Sequence, residues 1–341
     1  MRTATPSTAR AINDRLALDL LLERGPLTAP QIRTLTGLSR PTVSDLIERL
    51  QANGLIEAGG EDGGDRRGPN ARLYRIVAGR AHVAGVDVRR NAVTVTVADL
   101  TGATKGTARR EVGAGGIPDL VAGAVAEAAG GRSLHAVAVG APGLVDPRTG
   151  DLSRLNDVPG WRPSVLRELR SRLDGPVVLE NEVNLAALAE HREGAAAGQG
   201  DFVLLWLDDG VGAAVVLDGR LRRGVSGGAG EIGFLDAGDG PLCDLVNGAA
   251  VRGRAIGEVA ARVAAAAFPA VALLDPGLVV LAGEIGRAGG DELAALVADR
   301  LARLAPVPTQ VRVTAIEDNP VLGGAVVTAL SMARDDLFGA P

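Results

Sequence analysis

Arg40, Thr42 and Ser44, with Ser39 just ahead of them, are the first residues whose types and spacing could do chemistry. An arginine can fork to a guanine edge, and short hydroxyl side chains can meet bases or phosphates. A second basic group, Arg66-Arg67, lies in the glycine-rich run EDGGDRRGPN, from which it could reach phosphates or an adjacent minor groove. Either group taken alone is equally a set of solvated side chains, so the elements that carry them must decide. Acidic chemistry is concentrated at Glu180-Asn181-Glu182. A glutamate is a base, and acids ahead of a helix also favour its positive N-terminal end; the two uses are compatible. Cys243 is the only cysteine, which excludes an intramolecular disulfide, and His82, His135 and His191 are scattered without metal-ligand spacing. No zinc or other metal site is expected.

The basic candidates fall at one end of the chain. Residues 1–80 carry 12 Arg against 9 Asp/Glu, whereas residues 81–341 carry 24 Lys/Arg against 32 Asp/Glu. A mildly basic head on an acidic body suits nucleic-acid binding confined to that end, although chance variation in surface charge would give similar numbers. With 341 residues, 46% of them apolar, the chain can bury sizeable cores in two or three domains and is not a disordered polypeptide. No run of about twenty uncharged apolar residues is present, and the start MRTATPSTARAINDR has no apolar stretch. A cytoplasmic chain with no membrane partner is the expectation.

The elements around Arg40 follow from periodicity and capping signals. Between Arg10 and Arg24, Ile12, Leu16, Leu20 and Leu21, with Ala17, fall on one helical stripe that should face a core. After Gly25-Pro26, Thr28 stands three residues before Gln31 in a capping-box arrangement that opens a short helix to about Leu35. Gly37 allows a tight turn, Ser39 can cap, and Val43, Leu46, Ile47 and Leu50 give a third helix ending near Asn53-Gly54. Two short helices about a glycine-bearing turn form a helix-turn-helix pattern, with Arg40, Thr42 and Ser44 near the outward N-terminal end of the second. Leu55-Ile56-Glu57 and residues 72–77 then flank the Arg66-Arg67 loop as a β-hairpin wing. The run LSRPTVSDLIERLQANGLI resembles winged-helix regulators of the MarR-like kind. Residues 1–80 are therefore expected to be an all-α winged helix-turn-helix domain that binds double-stranded DNA.

From residue 81 the pattern becomes α/β. His82–Val88 and Ala92–Asp99 read as strands followed by the turn Leu100-Thr101-Gly102; Phe202–Leu207, Asp208-Asp209-Gly210 and Val211–Leu217 repeat that order. Such duplication suggests two like lobes with a ligand cleft between them. Helices are expected at about 117–130, 163–172, 183–197, 244–267, 289–304 and 320–334.

The ordered blocks GVDV, LTG, AVGAPGLVDPRTGDL, NDVPGW, LENEVNLAALAE, DDGVGAAVVLDGRLRRGVSGGAGEIG and DPGLVVLAGEIGRAGG resemble the ROK family of repressors and sugar kinases over nearly all of residues 81–341. The resemblance implies an actin-like, sugar-kinase body of two RNase H-like lobes, roughly 81–185 and 186–341, with a sugar or sugar-phosphate effector in the cleft. It also implies a homodimer or dimer of dimers on a pseudo-palindromic operator, and hence a repressor of carbohydrate-related genes. Asn156 and Asp157, ahead of Pro159-Gly160-Trp161, resemble the segment that lines the sugar pocket, while simple core is the commoner fate of a large aromatic such as Trp161. Asn181, Glu182 and Glu231 complete the sugar-binding candidates, because sugar hydroxyls need converging carboxylate and amide partners.

The same resemblance implies that kinase chemistry is lost. The family's kinases open with Asp-x-Gly-Gly-Thr, whose glycines let backbone N–H groups approach ATP phosphates; here Asp87-Val88-Arg89-Arg90-Asn91 puts two arginines in their place. Glu182 stands where the kinases have a catalytic Asp, and one extra methylene displaces its carboxylate. Phe234 replaces a histidine that touches both sugar and zinc, and Cys243 alone remains of three zinc cysteines. No catalytic residue, ATP or zinc is therefore expected. Two other readings stay open: an active sugar kinase with an accessory DNA-binding domain, and a regulator that no longer binds sugar and answers to a protein partner.

Overall fold

The computed structural model describes residues 6–61, 72–113, 115–152, 156, 158–236 and 240–339. In the head, α1 (Pro6–Arg24), β1 (Leu27–Thr28), α2 (Ala29–Thr36) and α3 (Arg40–Ala52) precede a hairpin of β2 (Ile56–Glu61) and β3 (Arg72–Ile76). The strands form one antiparallel sheet in the order β1-β3-β2. This is a winged helix-turn-helix with one strand more than the sequence predicts, since two residues are too few to show a period. Thr28 and Gln31 make the expected capping box, and Gly37 closes α2 by donating its N–H to the Arg33 carbonyl at 2.9 Å. Val43, Leu46, Ile47 and Leu50 are buried on one side of α3. At about 1.5–3 kcal/mol for each such side chain, that burial decides which face of the helix turns outward.

The stripe expected on the first helix needs correcting. Ile12 and Leu16 are 59% and 40% exposed, and burial begins at Ala17, continuing through Leu18 and Leu21. The N-terminal part of α1 meets the body instead: Arg15 pairs with Asp335 at 2.8 Å and lies over the Phe338 ring.

A single turn at Ala78–Arg80 leads into the body, where the Leu100 N–H donates to the Ala78 carbonyl at 3.0 Å. The first lobe contains β4 (His82–Val88), β5 (Ala92–Asp99), β6 (Thr104–Glu111), α4 (Ile117–Ala129), β7 (Ala136–Ala141), α5 (Val165–Arg172), β8 (Val177–Asn181) and α6 (Glu182–Glu193). In the second, β9 (Phe202–Leu207), β10 (Val211–Leu217) and β11 (Arg220–Arg222) are followed by α7 (Leu242–Val246), α8 (Gly248–Val251) and α9 (Ile256–Leu274). Then come β12 (Leu278–Ala282), α10 (Gly283–Leu304), β13 (Gln310–Val313) and α11 (Pro320–Phe338). The two five-stranded sheets run β6-β5-β4-β7-β8 and β11-β10-β9-β12-β13. Each joins an antiparallel meander to two parallel strands, so the repeat legible in the sequence extends through all five strands. The central strands β7, β9 and β12 are buried throughout, as strands covered on both faces must be, and the edge strand β6 carries Lys105, Arg109 and Arg110.

Two helix expectations change in detail. Residues 244–267 form parts of three helices, because Asn247 caps a new turn by accepting from the Ala250 N–H at 2.9 Å and residues 252–255 break the chain before α9. The helix expected from residue 289 begins at Gly283, and Gly290 marks a kink within it. By length and composition α9 could cross a membrane, but its Val259, Val263 and Val271 lie in the core of the second lobe.

Residue 185, where the lobes are expected to divide, falls within α6, and elements cross between the lobes. The last helix, α11, returns to pack on β4 and β7 of the first sheet and along α6, which itself touches strands of both sheets. Gly324 permits this, since a Cβ there would stand 1.8 Å from the Leu185 carbonyl oxygen. The layer between the sheets belongs to the same apolar cluster as the head core, from Leu18 through Leu185 and Phe202 to Phe338.

Candidate functional site

The basic face of the head is built by α3. Ser39 caps it: its hydroxyl accepts from the Thr42 N–H at 3.4 Å and lies 2.8 Å from the Thr42 hydroxyl. A Ser cap of this kind is worth about 1 kcal/mol. With Val43, Leu46 and Ile47 turned inward, Arg40 and Ser44 are exposed and Thr42 is half-buried. Arg49 at the other end bonds Asp14 of α1 at 2.5 and 2.8 Å, fixing the helix in the head. Four of the expected DNA-contacting residues, Ser39, Arg40, Thr42 and Ser44, therefore share the N-terminal turn of one helix. Arg66 and Arg67 lie outside the described residues.

The second candidate region is the cleft between the sheets. Asn181 caps α6, its carbonyl accepting from the Val183 and Asn184 N–H groups at 2.8 and 3.1 Å, while its amide donates to the Gly143 carbonyl at 3.1 Å and to the Glu182 carboxylate at 2.7 Å. Asn156 donates to the Pro142 carbonyl at 2.9 Å and accepts from the Val158 N–H at 3.1 Å. The two asparagines thus hold the Pro142-Gly143 turn from either side. Asp157 lies outside the described residues.

Glu182 is brought together with Glu231 and with the degenerate loop. Burial is the largest influence on its carboxyl and pushes it up to about 7; Arg89 opposes the rise, and Glu231 and Asp87 add to it. Glu231 follows Gly230, which has φ +93°, and a Cβ at Gly230 would lie 1.9 Å from the Ala213 carbonyl oxygen. Only glycine fits so close to strand β10. Phe234, 75% exposed, follows on a single turn, and among the described residues no group of His, Cys, Asp or Glu could hold a metal ion.

Glu180, Asp87 and Arg89, singled out in the sequence, are engaged in the cleft by partners that the sequence does not mark. Glu180 is buried and pairs with Arg223 of the other lobe at 2.6 Å, while also accepting from Asn184 at 2.9 Å. Asp87 is 3% exposed and fully engaged: Arg89 pairs with it at 2.9 Å and the Asn319 amide donates to it at 2.7 Å. The Arg89 guanidinium also lies 5.6 Å from the Trp206 ring centroid on the second sheet. A cavity of about 540 Å³ remains beside these groups, bordered by Arg109, Asp208, Gly283 and Arg287. Nothing in their spacing marks Arg223, Trp206 or Asn319 as partners; Asn319 shows only as a cap ahead of Pro320.

These features define a class: a winged-helix head carried on a two-lobed body of the sugar-kinase type. Residues 83–244 match the ROK family and residues 12–68 the MarR family. The chain carries a ROK family domain behind a MarR-like winged helix. The xylose repressor of Bacillus subtilis (strain 168) is 26% identical over 259 residues, 72% of this chain and 66% of the repressor. The DNA-binding transcriptional dual regulator NagC of Escherichia coli (strain K12) is 25% identical over 234 residues, 66% of this chain and 57% of that protein. The chain thus matches just under two thirds of the length of the first relative and less of the second. A crystal structure of a ROK family transcriptional regulator, a homolog of the E. coli MLC protein, matches 97% of this chain and 99% of its own, with a TM-score of 0.76 at 17% identity. At that identity the likeness is one of fold.

Proposed function

We propose that this chain is a sequence-specific transcriptional regulator, a repressor of carbohydrate-related genes, acting in the cytoplasm as a homodimer or dimer of dimers on a pseudo-palindromic operator. The observation that carries the reading is the outward Arg40-Ser44 turn of a capped helix that buries Val43, Leu46, Ile47 and Leu50 on its other side. Arg40 reads a base edge, Thr42 and Ser44 meet bases or backbone, and the wing arginines Arg66 and Arg67 meet phosphates. A sugar or sugar phosphate occupies the interlobe cleft against Glu182 and Glu231, with Asn156 and Asn181 holding the turn beneath it and Asp157 lining the pocket. Helix α11 couples the two sites. Its cap, Asn319, bonds Asp87 in the cleft, and its last turns hold Arg15 of the head through Asp335. A ligand that favours one arrangement of the lobes therefore biases the head, for which coupling of about 1–3 kcal/mol is ordinary. Selection of genomic fragments on the full chain tests the reading: enrichment of a two-fold-related site near transport or catabolic genes is expected, and binding without sequence preference contradicts it.

One observation favours a kinase instead. A glutamate titrating near 7 in a cleft is poised as a general base. Against it, Asp87 is already held by Arg89 and Asn319, and the arginine side chain takes the place of a backbone phosphate cradle. ATP-dependent phosphorylation of a hexose or N-acetylhexosamine, abolished by Glu182→Gln, would establish the kinase; no turnover is expected.

A further inference from the structure

A second and larger groove, of about 1110 Å³, runs where the head meets the body. One wall is α1, through Arg15, Asp19 and Glu23, and another is α11, through Leu330, Ser331 and Arg334. Two of its three bordering arginines differ from the third. Arg15 is matched by Asp19 and Asp335, whereas Arg334, half-buried, donates only to the Leu100 carbonyl, at 2.9 and 3.3 Å. Among the described residues no carboxylate lies within ion-pair distance of Arg334, and Arg192 at the end of α6 has neither a hydrogen bond nor an ion pair. Burial, and next the neighbouring Arg192, push the Arg334 guanidinium below its ordinary range, with Arg15 adding to the fall and the more distant carboxylates of Asp19 and Asp99 offsetting it only in part. A guanidinium taken partly out of water beside a like charge is unfavourable unless an anion offsets it. Hydroxyls border the same groove at Thr96, Thr104 and Ser331, each without a side-chain partner among the described residues.

We propose that this groove is a second small-molecule site, for a ligand carrying one anionic group, phosphoryl or carboxylate, on a hydroxylated body. Arg192 and Arg334 fork to the anion, and the Thr and Ser hydroxyls meet the rest. Asp19, Glu23, Glu193, Glu317 and Asp318 also border the groove and repel any second negative charge, which disfavours nucleotides and other polyanions. Because the walls belong to head and body, such a ligand ties one to the other without entering the cleft between the lobes.

Calorimetric titration of the full chain at low ionic strength, without DNA, tests this with glucose 6-phosphate and gluconate as the two anionic probes and glucose as the neutral control. Binding of at least one anion is expected, weakened tenfold or more by Arg192→Gln and by Arg334→Gln and unchanged by Arg303→Gln, an exposed arginine of α10 paired with Asp299 that borders neither cavity. The Arg192 side chain has no hydrogen bond or ion pair among the described residues, so Arg192→Gln decides alone if Arg334→Gln melts early. Failure of both anions to bind, or full affinity in Arg192→Gln, overturns the proposal, and either result leaves the reading of the head as a DNA reader intact.

Discussion

Glu182 gathers the chemistry of the cleft into one side chain. Its carboxyl titrates at about 7 when folded, against about 4.3 for an unperturbed glutamate, so the folded state holds the proton more tightly. The stability this group contributes is present below about pH 4.3 and is lost as pH rises through 7. Glu182→Gln is therefore expected to melt higher than the parent chain at pH 8 and to lose that advantage near pH 4.5, in melts followed by circular dichroism. An equal difference at both pH values would show that the carboxyl does not carry the effect. Arg40 makes the corresponding prediction for the head: Arg40→Ala should weaken operator binding by about 1–3 kcal/mol and relax preference at one base pair, measured by fluorescence anisotropy on single-base operator variants. A uniform loss over all variants would mark Arg40 as a phosphate contact instead. The sequence shows which residue types stand at 180–182 but not how they are engaged. Asn181 is drawn on by a helix cap, a turn carbonyl and Glu182 together, and that emerges only when β8, α6 and the Pro142-Gly143 turn converge.

Helices α2 and α3 were legible because their signals are local: a capping box, a serine cap and an apolar face repeating within a few residues. The same periodicity misleads on α1, where Ile12 and Leu16 share the stripe yet stay exposed, since a period states which residues share a face and not how far a core extends along it. Residues 244–267 read as one helix for a related reason, as alanine-rich segments on either side of a cap blur into one pattern. Gly230 gives this scale its sharpest test. A Cβ there meets a backbone oxygen that cannot swing away, and the positive φ adds strain, so Gly230→Ala should destabilise the body by about 2 kcal/mol or more. A fall in Tm of roughly 5 °C is expected from calorimetry, with cleft ligand affinity reduced because Glu231 moves with the loop. An unchanged Tm would mean that the loop and β10 can part freely.

Across the whole molecule the question is how a cleft between two sheets speaks to a helix on the head. Helix α11 is the connecting rod, 19 residues and therefore roughly 28 Å long, with Asn319 at Asp87 and Asp335 at Arg15. None of this could be read along the chain, because the Arg15–Asp335 contact joins residues 320 positions apart. Arg15→Ala should leave operator affinity nearly intact, since the Arg40-Ser44 turn is untouched, and should speed amide exchange over residues 330–338. It should also blunt the ligand response, whereas unchanged exchange and response would remove α11 from the coupling. The account as a whole rests on operator affinity that depends on occupancy of the body. Anisotropy titration of the selected operator with the full chain, across a panel of sugars and sugar phosphates, measures this directly. A shift in Kd of about tenfold, near 1.4 kcal/mol, with at least one ligand is the expected result, and an affinity indifferent to every member of the panel would contradict it.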